Sequence, residues 1–145
     1  MINVYLSGCM SHHYKNEKPN LAEIWRDDAE ENLFKYDYKI FNPCANYKQN
    51  SEYDSKSMIY QKITYLEKCD VIIVNLDYLE KSVGTMFDLF WAYFNHKPVV
   101  AFCDTDIVNE ELINQQYIKE AITVRFDTLY EACEYVKNMY CQLIY

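Results

Sequence analysis

Two glycines and three prolines in 145 residues leave this chain few places to turn sharply or to bring bare backbone against a ligand. Glycine permits positive φ and close approach, so the positions of Gly8 and Gly84 carry weight. No apolar run approaches the roughly 18–20 residues that span a bilayer. The opening Met1-Ile-Asn-Val has no basic segment before its apolar stretch, so a secretory leader is not expected. Basic charge is short as well: 14 Lys and Arg stand against 22 Asp and Glu, for a net charge of −8. A nucleic-acid binder needs a basic surface to displace phosphate counterions, and that class is excluded. A small ligand with one or two phosphates is still allowed, because helix N-termini and single side chains suffice to hold it. The six cysteines (Cys9, Cys44, Cys69, Cys103, Cys133, Cys141) include no CxxC pair. Most lie in apolar segments and read as reduced core thiols of a cytoplasmic protein. Neither G-x-G-x-x-G nor G-x-x-x-x-G-K-[ST] occurs at Gly8, which disfavours dinucleotide and P-loop sites. No H-E-x-x-H or carboxylate cluster points to a metal, and His12-His13 read as solvated loop residues. No cofactor is expected.

What is present is an alternation of strand and helix patterns, the mark of a parallel sheet covered on both faces. Ile2–Ser7 reads as a first strand and 9–19 as a polar loop. A helix then starts at Asn20, with Glu23 completing a capping box and Leu21, Ile24, Trp25, Ala29, Leu33 and Phe34 as its apolar stripe. Tyr38–Phe41 is a short strand stopped by Asn42-Pro43, and 44–53 reads as loop. A helix from Asp54 or Ser55 leads to Val71–Leu76, an unbroken apolar run typical of a central buried strand. A helix over about 83–95 is apolar nearly all round. Val99–Phe102, a polar helix near 108–119, a strand Ile122–Phe126 and a last helix from Asp127 or Thr128 complete the pattern. The expected fold is one α/β domain over 1–145, a doubly wound (flavodoxin/Rossmann-like) five-stranded parallel sheet with helices on both faces.

Such sheets bind ligands beyond the carboxyl ends of their strands, at the switch point. That rule selects Ser7–His13, Asn42–Tyr53, Asn75–Gly84 and Cys103–Asn109. Both glycines fall inside these segments. Tyr14, Tyr47, Tyr53 and Tyr78 are candidates to stack on a base.

Three of these segments resemble the nucleoside 2-deoxyribosyltransferase family. Tyr5-Leu6-Ser7-Gly8 is similar to its first strand, and Asp70-Val-Ile-Ile-Val-Asn75-Leu-Asp77 to its third. Ser82-Val-Gly84-Thr85-Met-Phe-Asp88-Leu-Phe-Trp-Ala92 resembles its signature helix, commonly S-x-G-T-x-x-E-x-x-x-A. Trp25-Arg26 and Phe41-Asn42-Pro43 look like further family features, and the likeness covers about residues 1–102. It implies a small-molecule nucleoside or nucleotide as partner and a carboxylate nucleophile at the anomeric carbon, with a glycosyl-enzyme intermediate. The implied catalytic residues are Asp88 as nucleophile, Tyr5 orienting it, and Lys62. The implied binding residues are Ser7, Gly8, Asn75, Asp77, Ser82, Gly84 and Thr85. A homo-oligomer is also implied.

Two positions depart from the family pattern. Asp88 is one methylene shorter than the glutamate, and misplacement of about 1 Å costs ~10²-fold. Lys62 stands where active members carry an aspartate that assists proton transfer, a role worth roughly 10²–10⁴-fold. Ser82, in place of the aspartate of nucleoside-specific members, favours a 5′-phosphate. Three readings follow: an enzyme that breaks or transfers N-glycosidic bonds; a relative that has lost turnover and binds a nucleotide-derived ligand as a sensor or sequestering protein; and an unrelated flavodoxin-like or response-regulator-like module. The last lacks the acidic pair of a phospho-receiver, since Ser7-Gly8-Cys9 stands in its place.

Overall fold

The computed structural model describes residues 1–34, 36–47 and 53–140. Strands β1 (Ile2–Ser7), β2 (Tyr38–Phe41), β3 (Val71–Asn75), β4 (Val99–Phe102) and β5 (Val124–Phe126) form one sheet in the order β2-β1-β3-β4-β5. All pairs are parallel, with Val4 opposite Val71, Ser7 opposite Val74, and Val74 opposite Ala101. The chain runs outward from β1 to β2, returns past β1 to β3 and continues outward on the other side. The switch point therefore lies between β1 and β3, and their carboxyl ends share one edge.

Strand periodicity divides the core into two layers. Tyr5, Ile72, Val74 and Val99 face Leu66 of α4 (Ser55–Lys68) and Leu89 and Ala92 of α5 (Val83–Phe94). Val4, Leu6, Ile73 and Val100 face Trp25, Ala29 and Leu33 of α2 (Asn20–Leu33) and Leu129, Cys133 and Val136 of α8 (Leu129–Tyr140). All five residues of β3 are buried, as the apolar run Val71–Val74 requires of a strand covered twice, and the polar Asn75 at its end is buried with them.

Several local expectations are corrected. Pro19, not Asn20, precedes α2, and no side chain caps that helix. Glu23 instead accepts a hydrogen bond from the Tyr14 hydroxyl at 2.9 Å. Leu21 and Ile24 are exposed while Arg26 is buried, so the inward stripe runs Ala22, Trp25, Arg26, Ala29, Leu33. The segments read as loops hold short helices, α1 (Ser11–Lys15) and α3 (Pro43–Tyr47). His13 is buried, and its desolvation lowers its pKa. The single helix expected near 108–119 is two, α6 (Glu110–Ile113) and α7 (Gln116–Ala121), because Asn109 and Gln115 each cap a new start. The caps at α4 and α8 are as read: Asp54 accepts from the Ser57 N–H at 2.7 Å and Thr128 from that of Glu131 at 3.1 Å. Cys141, the Leu143-Ile144-Tyr145 end and the Tyr47 side chain lie outside what is described; the other five cysteines are free and buried. Among the described residues no helix is long and apolar enough to cross a membrane.

α5 is inside out. Its buried face carries Thr85 and Asp88 beside Leu89 and Ala92, while Val83, Phe87, Phe90, Tyr93 and Phe94 are exposed. An amphipathic helix normally does the reverse.

Candidate active site

β1 delivers Ser7 to the sheet edge, and Gly8 carries the chain away from it. No glycine has positive φ, so the conformational half of the glycine argument fails. Close approach is what Gly8 provides: a Cβ there would lie 2.8 Å from Trp25 Cζ2 and 3.3 Å from Asn75 Cβ. Arg26 secures the turn by donating to the Gly8 carbonyl at 2.9 Å and to the Ala22 carbonyl at 2.6 Å. Its guanidinium lies 4.5 Å from the Trp25 ring centroid and is wholly buried. Burial pulls its pKa down, and among the described residues no carboxylate forms a salt bridge with it.

The second wall is the start of α5. Asn75 accepts from the Asp77 N–H at 2.9 Å, Tyr78 adopts φ 59°, and a 3₁₀ turn (Leu79–Lys81) brings the chain to Ser82. Ser82 caps α5, its hydroxyl accepting from the Thr85 N–H at 3.2 Å and lying 2.6 Å from the Thr85 hydroxyl. The remaining first-turn N–H groups have no intrahelical acceptor, so this end of the helix favours an anion.

Asp88 sits one turn further on and is 3% exposed. The Ser7 hydroxyl donates to its Oδ2 at 2.6 Å, and the Lys62 ammonium lies 3.0 Å from Oδ1. Lys62 also donates to the Gly84 carbonyl at 3.2 Å. Desolvation raises the Asp88 pKa; the Lys62 charge and then the Ser7 hydrogen bond oppose it, and desolvation prevails. A buried carboxylate with only two compensating partners is costly to the fold.

The expected direct hydrogen bond from Tyr5 to Asp88 is not made. Ser7 is two residues along β1 on the same face and stands nearer to α5, so its hydroxyl takes that place. Tyr5 lines the same cavity, and burial first, then the charge of Asp88, raises its phenol pKa.

A cleft of about 650 Å³ gathers Tyr5, Ser7, Gly8, Lys62, Ser82, Gly84, Thr85 and Asp88. Asn75 and Asp77 are not in it. Asn75 shares the strand face of Val71 and Ile73, directed away from α5, and both residues line a separate concavity of about 70 Å³ with Cys9, His13 and Tyr78. There burial raises the Asp77 pKa to about 6, with the nearby Asp104 adding to it and Thr105 opposing. Of the tyrosines expected to meet a base, Tyr53 lines the main cleft, whereas Tyr78 packs edge-on to His13 at 4.7 Å between ring centroids. Among the described residues no group of three or more His, Cys, Asp or Glu side chains is placed to hold a metal ion.

The family model for nucleoside 2-deoxyribosyltransferase matches residues 4–134. The chain belongs to that family. No curated protein matches it by sequence. Among solved structures it is similar to the 2-deoxyribosyltransferase of Bacillus psychrosaccharolyticus (18% identity, 92% of this chain and 91% of that one, TM-score 0.65). It is also similar to the 2-desoxiribosyltransferase of Leishmania mexicana (16%, 97% and 99%, 0.68) and to a CMP N-glycosidase from Clostridium botulinum (13%, 94% and 98%, 0.56). At these identities the likeness is one of fold. Within this deoxyribosyltransferase fold, sequence reasoning did not single out Tyr65, Met58 or Lys81, which also line the cleft. It named Trp25-Arg26 as a family feature but gave the buried Arg26 guanidinium no place beside the cleft. The signal for Arg26 was available: it stands four residues after Ala22 and three before Ala29, on the inward stripe of α2.

Proposed function

We propose that this chain cleaves the N-glycosidic bond of a 2′-deoxynucleoside 5′-monophosphate, with Asp88 as nucleophile. The observation that carries the reading is Asp88 itself: a buried carboxylate on the cleft floor, anchored by Ser7, one turn inside a helix whose capped N-terminus opens onto the same space. In the first step an Asp88 oxygen bonds to the anomeric carbon as the carbon–nitrogen bond breaks. The bonding pair leaves with the base, which takes a proton from solvent. In the second step water attacks the anomeric carbon, its proton passes to solvent, and the carboxylate is released; a second free base in place of water gives transfer. Ser82 and the first turn of α5 suit a 5′-phosphate, which an aspartate at position 82 would repel. Of the solved relatives named above, two are 2-deoxyribosyltransferases and one is a CMP N-glycosidase, so the set includes both a deoxyribose donor chemistry and a nucleoside monophosphate substrate.

The test is base release, followed by chromatography, from deoxynucleosides and their 5′-monophosphates, with and without a second free base. Wild type releases base, and Asp88→Asn binds but does not. Asp88→Glu, with the longer reach of the family glutamate, is expected to be faster than wild type. Full activity in Asp88→Asn refutes the nucleophile, and equal thermal stabilisation by nucleoside and monophosphate at matched concentration counts against the phosphate site. A second reading, binding without turnover, is favoured by the Lys62 ammonium over Asp88 Oδ1 and by the short aspartate side chain. Absence of base release together with ligand-induced stabilisation is its signature.

A further inference from the structure

Both oxygens of Asp88 are engaged in this structure. Oδ2 accepts from Ser7; Oδ1 makes no hydrogen bond and is held by the Lys62 ammonium as an ion pair at 3.0 Å, with no solvent-exposed surface. A carboxylate that attacks an anomeric carbon must bring an oxygen to within about 3–3.5 Å of it, so one partner has to let go. Ser7 is 1% exposed and fixed on β1. Lys62 stands on α4 at the cleft wall, its side chain 26% exposed on a flexible four-carbon stem. Its ammonium already touches the first turn of α5 through the Gly84 carbonyl. A Cβ at Gly84 would come within 3.2 Å of that nitrogen, so the bare backbone there lets the ammonium rest against the helix end. The same cation is thus a short swing from Asp88 and from the place at the N-terminus of α5 where a bound anion would sit.

We infer that Lys62 selects substrates by covering Asp88 Oδ1 until a 5′-phosphate at the start of α5 draws the ammonium off. The inference rests on the glycosidic reading above and adds how phosphorylated substrates are preferred. A phosphate monoester carries about −1.5 to −2 charge at neutral pH, against −1 for the carboxylate, and it arrives where the helix end already favours an anion. Lys62 keeps its proton throughout. Its departure leaves Asp88 desolvated and uncompensated on that oxygen, which frees the lone pair for attack only when a phosphorylated substrate is seated. An unphosphorylated nucleoside offers nothing to move the lysine.

The experiment measures kcat/KM for a 2′-deoxynucleoside and for its 5′-monophosphate with wild type and Lys62→Met, which keeps stem length without charge. The inference predicts opposite signs: the variant gains about tenfold on the nucleoside and loses about tenfold on the monophosphate, the scale of one hydrogen bond to a charged group. An unchanged nucleoside rate makes Lys62 only a phosphate ligand and overturns the inference. A fall on both substrates makes it a proton donor or a structural residue and overturns it too. Wild type alone provides a second readout that no folding defect can obscure: phosphite dianion added with the nucleoside should accelerate base release, and no acceleration refutes the switch. If wild type releases no base from either substrate, the glycosidic reading falls and the switch with it. A wrong split between active substrates removes the switch alone.

Discussion

Replacing Ser7 by alanine removes the hydroxyl that donates to Asp88 Oδ2 at 2.6 Å. Hydrogen bonds to charged groups contribute about 1.5–3 kcal/mol, and one pKa unit corresponds to about 1.4 kcal/mol. Burial already holds the Asp88 pKa above the usual carboxylate value, and the Ser7 hydrogen bond, after the Lys62 charge, is one of the interactions pulling it back. Its loss should therefore move the Asp88 pKa further up. The ionised form is the nucleophile, so the acid limb of kcat/KM for the 5′-monophosphate should shift to higher pH. The plateau should also fall, by about tenfold or more, since Lys62 alone would then position the carboxylate. Linkage gives a second sign. A folded pKa above the unfolded one means that protonation stabilises the fold, so Ser7→Ala should match wild type best below about pH 4 and lose ground as pH rises. The assay is base release across about pH 4 to 8 with wild type, Ser7→Ala and Ser7→Thr, the last restoring the hydroxyl. An acid limb coincident with wild type, with a plateau within twofold, would refute the reasoning.

Asp77 should behave as a desolvated carboxylate whose proton stabilises the fold. With its pKa raised to about 6, Asp77→Asn should raise Tm at pH 7 and above, with the gain shrinking as pH falls from 6 to about 4; a constant offset in melts across that range argues against it. Gly8→Ala drives a methyl into the Trp25 ring and the Asn75 Cβ. Overpacking of this kind costs about 1–3 kcal/mol, so thermal unfolding should show a Tm lower by roughly 3–10 °C, and an unchanged Tm would mean that the turn relaxes freely. The exposed Val83, Phe87, Phe90, Tyr93 and Phe94 of α5 and the exposed Ile59 and Tyr60 of α4 lead us to propose a homodimer or larger even assembly. Light scattering at micromolar concentration checks it, and a monomeric mass rules it out.

The order of strands and helices was legible because each strand is a short run with a single burial pattern. Val71–Val74 is apolar, and the whole strand through Asn75 is buried. Tyr5, Ser7, Gly8, Ser82, Gly84, Thr85 and Asp88 could be assigned to one place because the end of β1 and the N-terminus of α5 meet at the switch point of a doubly wound sheet. The family motif named the positions, and topology brings them together. Two binding candidates lie outside the main cleft for an equally simple reason: placing Asn75 and Asp77 at the correct edge says nothing about which concavity they line, and they line the separate one with Cys9, His13 and Tyr78.

Sequence by itself determined what short-range physics controls: the strands, the caps of α4, α5 and α8, the shortage of basic charge, and the family signature. Only the tertiary structure decided who touches Asp88. Ser7 is 81 residues away along the chain, and Lys62 comes from a different helix. Neither contact has a periodicity or spacing that could announce it. The same holds for α5, where a hydrophobic helix turns Phe87, Phe90, Tyr93 and Phe94 outward and its one carboxylate inward. A helical pattern records which residues share a face. Which face is buried is settled by what packs against it, and at α5 the packing favours the cleft.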